Sequence, residues 1–137
     1  MMKIQKRYLI SLVLILLCSS VSAAPPLDIK IEFTEVPKSG AGANTQGNIA
    51  GKVSGLPNPQ DYKIVLYAHT NLWYVQPLTI EPFTEISRDG HWSNWTHLGR
   101  RYAALVVRNS FEPKAKIMTL PLVGGDVVAR GETSSSQ

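Results

Sequence analysis

The sequence lacks most of the features that announce a function. It holds one cysteine, Cys18, in 137 residues, so no intrachain disulfide can form and no cysteine-based metal site can be built. There is no Gly-x-Ser-x-Gly elbow and no His-Glu-x-x-His, which removes the common serine-hydrolase and zinc-protease signatures. No basic cluster is denser than Arg100-Arg101, too little to track a phosphate backbone, and nucleic acid is not expected as a partner. The one long apolar run, Tyr8 to Cys18, is about half of the ~20 residues that a membrane-crossing helix needs, which argues against a permanent anchor.

That run follows Lys3, Lys6 and Arg7 and precedes the small polar stretch Ser19 to Ala23. The three regions in this order make residues 1–23 a secretory signal peptide and point to a periplasmic or secreted protein. Cleavage after Ala23 satisfies the small-residue rule through Val21 and Ala23, whereas cleavage after Ala24 would place Pro25 just beyond the scissile bond. Lipidation at Cys18 is disfavoured by Leu16 and Leu17, which stand where a lipobox wants small residues. Without the signal the chain also loses its only thiol. The formal charge of +4 includes three signal-segment cations, so the mature chain carries 11 basic against 10 acidic side chains and is nearly neutral. Its length of about 114 residues suits one domain with one core.

What the sequence does contain is alternation. Leu27, Ile29, Ile31 and Phe33 alternate with Asp28, Lys30, Glu32 and Thr34, the mark of a strand with one wet face. A Gly-rich loop over 38–47 follows; Lys38-Ser39 precedes its glycines instead of ending them, so it is not a P-loop. Residues 48–55 form a second strand in which Gly51 and Gly55 imply close packing on a neighbour. Tyr62 to Thr70 is apolar on both faces, as expected of a central strand, and Tyr102 to Arg108 is an Ala/Leu/Val strand buried on both faces. Between them, Pro82 confines Leu78 to Glu85 to an edge or an irregular crossing. Asp89-Gly90 predicts a hairpin leading into His91 to Thr96. Lys116 to Leu120 is the last expected strand, and periodicity fades after Pro121. The reading is an all-β chain, an antiparallel β-sandwich of seven to eight strands over 24–125, with 126–137 as a flexible tail.

Asp89-Gly90-His91-Trp92-Ser93, then Leu98-Gly99 and Tyr102 to Val107, resembles the Asp-Gly-x-Trp-Ser…Leu-x-x-Gly-x-Tyr pattern of bacterial immunoglobulin-like modules, here with a Gly-to-Tyr gap longer by one. Gly51 to Gly55 with Tyr62 to Tyr67 is similar to the opening of carboxypeptidase-regulatory-like domains. The fuller string, with Trp73 to Pro77 and His97 to Gly99, resembles small domains attached to secreted glycan-active enzymes. The resemblance covers about half the mature chain. It implies an immunoglobulin-like fold with Trp92 in the core and Tyr102 as a tyrosine corner, its hydroxyl bonded to backbone.

Carbohydrate is the ligand class these residues suit best, because a sugar ring packs its C–H face on an aromatic plane while amides or imidazole bond its hydroxyls. Trp95 lies on the opposite face of its strand from Trp92 and is the better placed for exposure. Of the adjacent Trp73 and Tyr74, one should face solvent. With Gln76, Asn94 and His97 these make the candidate ligand-binding set, Asn71 lying nearby; the alternative for Trp73 and Tyr74 is that they cap the end of the sandwich. His91 and His97 are six strand residues apart, roughly 20 Å, too far to share an ion, and no metal or cofactor is expected. Glu81, Glu85 and Asp89 sit in turn-like sequence without an enclosing frame, so catalysis is not expected either. The expected function is a non-enzymatic exported module that binds a polysaccharide. The alternative is a structural or interaction module that pairs with an envelope protein through a sheet edge.

Overall fold

The computed structural model describes residues 27–137; the signal peptide read over 1–23 lies outside them. The described chain forms nine strands: β1 Lys30–Glu35, β2 Gln46–Ser54, β3 Tyr62–His69, β4 Trp73–Gln76, β5 Phe83–Glu85, β6 His91–His97, β7 Arg101–Arg108, β8 Lys116–Ile117 and β9 Val127–Ser134. They build two packed antiparallel sheets, one of three strands in the order β1-β2-β6 and one of six in the order β8-β4-β3-β7-β9, with β5 also paired to β3. The protein is a β-sandwich, as its alternation implied, with nine strands where seven to eight were expected.

The larger sheet is centred on β3 and β7, which pair along their whole length from Tyr62 opposite Arg108 to His69 opposite Arg101. Along the other edge of β3, β5 pairs with Lys63 to Val65 and β4 with Leu66 to His69. The chain between them, around Leu78 to Glu81, is squeezed out as a turn closed by the Glu81 N–H donating to the Leu78 carbonyl at 3.1 Å. This is the irregular crossing that Pro82 foretold.

Ile64, Leu66 and Ala68 of β3 and Tyr102, Ala104 and Val106 of β7 point into the space between the sheets, where they meet Ile49, Val53 and Trp92. Trp92 stands opposite Gly51, and an added Cβ on that glycine would lie 2.4 Å from the indole Cζ2 and 2.2 Å from the Glu32 carbonyl oxygen. Only glycine lets the indole lie against β2, which explains the close packing read from the sequence. Phe33 closes on the same ring edge-to-face, with centroids 5.8 Å apart.

Asp89-Gly90 forms a tight turn but not a hairpin. Gly90 takes a positive φ of 89°, its N–H donates to the Ser87 carbonyl at 2.9 Å, and the turn carries the chain from β5 in one sheet to β6 in the other. A short-range turn signal specifies the reversal; it does not specify which neighbour the next strand pairs with.

The C-terminal segment is the largest departure from expectation. Residues 126–137 were read as a flexible tail, yet Val127 to Ser134 is an eight-residue strand paired with β7. Beyond it, the Ser136 N–H donates to the Pro37 carbonyl at 3.0 Å. Its polar residues hid it: Gly131, Glu132, Thr133 and Ser134 need no apolar side chains to pair through the backbone at a sheet edge. The last strand expected over Lys116 to Leu120 is reduced to Lys116–Ile117, with Leu120 turned inward as a plug.

Candidate functional site

The two sheets differ in width, and the difference makes a cleft. The edge strand β6 of the narrow sheet lies near β3, β4 and β5 and covers β4 at Gln76, so β8 and the part of β4 around Tyr74 project beyond it with their inner faces partly exposed. Ala68 pairs with Tyr74 and Tyr74 with Lys116. Cross-strand partners share a face, so these three form a row that runs from the sandwich interior to the sheet margin. The row floors a cleft of about 620 Å³. Gln76, His97 and Leu98 wall one side, Gly42 and Ala43 of the Gly-rich loop stand over it, and Pro77 to Thr79 close its end.

Gln76 organises the wall. Its Oε1 accepts from the His97 backbone N–H at 2.8 Å, and its Nε2 donates to the Tyr74 carbonyl at 3.2 Å. Since a carbonyl oxygen can only accept, the His97 Nδ1 at 3.0 Å from the same Oε1 must carry the proton. The other ring nitrogen, Nε2, makes no hydrogen bond among the described residues. On the floor, the Tyr74 hydroxyl donates to Asn71 Oδ1 at 3.0 Å, and the Thr70 hydroxyl lies 3.2 Å from the same oxygen.

Of the expected ligand-binding set, Tyr74, Gln76 and His97 meet in this cleft. Trp95 stands beside it on the outer face of the narrow sheet, opposite Asn48, half-exposed and edge-on to His97 at 5.2 Å between centroids. Trp73 does not belong to the set. It is buried on the far face of the large sheet, where His69 packs at 4.8 Å and the Arg101 guanidinium lies 5.4 Å from the ring centroid; Tyr74 is the half-exposed member of the pair. Asn94 is turned away too, its Nδ2 donating to Thr84 Oγ1 at 2.9 Å across the gap between sheets. Gln76 is buried and committed to the wall, so it shapes the cleft without offering a free amide. The sequence reading missed Thr70 and Lys116, because only the pairing of β8 with β4 brings residue 116 beside residue 74.

A second hollow of about 880 Å³ opens between β5 and β6, with Thr84, Asn94 and His91 on its lining. Next to it Asp89 accepts from the Ser87 hydroxyl, from the His91 N–H at 3.1 Å and from His91 Nδ1 at 2.9 Å. The Ser87 hydroxyl first, and then the His91 donors, hold its carboxyl well below the usual range. Here the carboxylate stands between serine and imidazole, so the hydroxyl meets a carboxylate of lowered basicity and not the imidazole that a nucleophilic triad places there. Glu85 is engaged elsewhere, 2.7 Å from Lys63 Nζ. Among the described residues, no group of three or more His, Cys, Asp and Glu side chains comes together.

No protein-family model matches the chain, and no curated protein and no solved structure matches it.

Proposed function

We propose that this protein is an exported, non-enzymatic module that binds carbohydrate, with the sugar in the cleft over Tyr74 and with Trp95 extending the surface past His97. The observation that carries the reading is the contiguous arrangement of two half-exposed aromatic rings around an imidazole with one free nitrogen, next to the hydroxyl and amide groups of Thr70 and Asn71. A pyranose offers an apolar face and a rim of hydroxyls, and those are the two things such a surface meets. Export rests on the N-terminal basic, apolar and small-residue regions.

Pairing of the β6 edge with an envelope protein is less well supported. An open edge strand recruits a partner through unpaired backbone groups. Along β6, the N–H groups of His91, Trp95 and His97 are already taken by the side chains of Asp89, Asn94 and Gln76.

The test is titration of the mature protein with a panel of soluble polysaccharides, followed by tryptophan fluorescence and calorimetry. At least one member should bind, and Tyr74→Ala and Trp95→Ala should each weaken it while still melting cooperatively. A panel with no binder, or one whose binder ignores both substitutions, would sink the reading.

A further inference from the structure

We propose that the cleft selects an anionic saccharide over a neutral one, with Lys116 as the residue that reads the charge. This rests on the carbohydrate reading above and adds a substrate class to it.

The argument starts from the row Ala68–Tyr74–Lys116. Directly paired residues on one face of a sheet hold their Cβ atoms about 5 Å apart, so a sugar ring stacked on Tyr74 brings its substituents within reach of the Lys116 ammonium. No Asp or Glu lines the cleft. The ion pairs among the described residues are Lys63–Glu85, His91–Asp89 and Arg101–Glu132; none of them takes up Lys116. Glu81, the nearest acidic residue along the chain to the closing loop, bonds by its backbone to Leu78 and does not line the cleft. The ammonium therefore faces the ligand space without a carboxylate to neutralise it.

The opposite wall complements the floor. With Nδ1–H fixed on Gln76, His97 has only the Nε2 lone pair left for a ligand, and that nitrogen accepts from a sugar hydroxyl. A carboxylate or sulfate ester directed at Lys116 would thus meet a cation on the floor while a hydroxyl of the same sugar bonds the wall, whereas a cationic amino sugar would meet like charge. The protein as a whole does not impose this preference, since its mature side chains nearly balance. The sign of the site is local.

The experiment uses two matched pairs: a uronic-acid oligosaccharide with its carboxyl-reduced form, and a sulfated oligosaccharide with its desulfated form. Calorimetry on the mature protein at low salt should show at least one charged member binding roughly ten-fold tighter than its neutral counterpart, a preference that falls as salt rises. Which pair shows it identifies the anion. Lys116→Gln should erase the preference while leaving the melting curve in place. Lys114→Gln, which removes an exposed charge two residues away and outside the cleft, should leave it unchanged. If neutral and charged members bind alike, or if both lysine variants reduce the preference equally, charge selection by Lys116 is overturned and the carbohydrate reading stands. If neither pair binds and the polysaccharide panel is also silent, the carbohydrate reading falls, and the charge selection with it.

Discussion

The two faces of the six-stranded sheet are equally apolar and are covered in different ways. The inner face packs against a second sheet, with Ile64, Leu66, Tyr102, Ala104 and Val106 meeting Ile49, Val53 and Trp92. The outer face, with Val65, Tyr67, Trp73, Val75, Leu105 and Val107, is roofed by the chain between β7 and β9, which sets Phe111 and Leu120 onto it while Ile117 of β8 flanks Trp73 at the sheet margin. All six residues from Tyr102 to Val107 have no more than trace exposure, so the roof seals as well as the sheet does. Burial on both faces therefore does not require a third layer of regular structure. A loop with a few well-spaced apolar plugs can supply the cover.

This comparison breaks at measurable points. On the inner face, Trp92→Ala empties the largest filler between the sheets and should cost about 3 to 5 kcal/mol, enough to threaten a marginally stable domain. Trp92→Phe should cost much less, because the indole Nε1 is buried without a partner among the described residues and its loss orphans nothing. Denaturant titration of both variants beside Trp95→Ala, which should stay near wild type, checks the assignment. Equal loss in Trp92→Ala and Trp95→Ala would remove it.

On the outer face, Leu120→Ala should cost about 2 to 3 kcal/mol, the low end for a buried leucine, since a roof can settle into a cavity more easily than a sheet can. If chemical denaturation finds that variant unchanged, the roof is not part of the cooperative unit. Tyr102→Phe should follow at about 1 kcal/mol or somewhat more. Its hydroxyl accepts from the Gly99 N–H at 2.9 Å and has the Lys38 and Gly99 carbonyls each at 3.2 Å, as a tyrosine corner requires. An unaltered denaturation midpoint would remove that role.

The smallest effect is one of pH. Burial pushes the Tyr67 hydroxyl under the roof up to about 12, above the ~10 of a free phenol. Between these values the unfolded chain gives up a proton that the folded one keeps. The stabilisation is complete below about pH 10 and is lost as pH rises toward 12. Tyr102, also raised by burial although the Gly99 N–H opposes the shift, adds to the same slope. Tyr67→Phe should flatten part of the alkaline fall in melting temperature and change nothing at pH 7 to 8.

The inner face was legible in the sequence because its residues repeat every second position: Leu27 to Thr34, the two-sided strands at 62–70 and 102–108, and the opposite facing of Trp92 and Trp95 all follow from that period. The roof was not legible, since Phe111 and Leu120 sit near Pro113 and Pro121 without any period; of the strand expected over Lys116 to Leu120, only Lys116–Ile117 forms. Nor was β9, whose hydrogen bonds are made by backbone and leave no trace in side-chain pattern. The candidate site divides along the same line. Trp95 and Tyr74 are both partly exposed, in keeping with the expectation that Trp95 and one of the pair Trp73 and Tyr74 meet solvent, because neighbours on a strand must point apart. Pattern alone could not tell which of the pair meets solvent, and it could not reveal that Asn94 bonds to Thr84 or that Lys116 stands next to Tyr74.

The placement of β9 also governs when the fold can be completed. Its partner β7 precedes it by the whole roof, its Gly131 packs against Ile31 of the first strand, and the bridge from Ser136 to Lys38 joins positions almost a hundred residues apart. Contacts of such long sequence separation form slowly, on the millisecond-to-second scale of sandwich folds. Until Val127 to Ser134 has emerged, one long edge of β7 lacks its partner and the roof has nothing to anchor its far end. The fold is thus completed by bringing its two ends together, with β9 against β7 and Ser136 against Pro37 and Lys38.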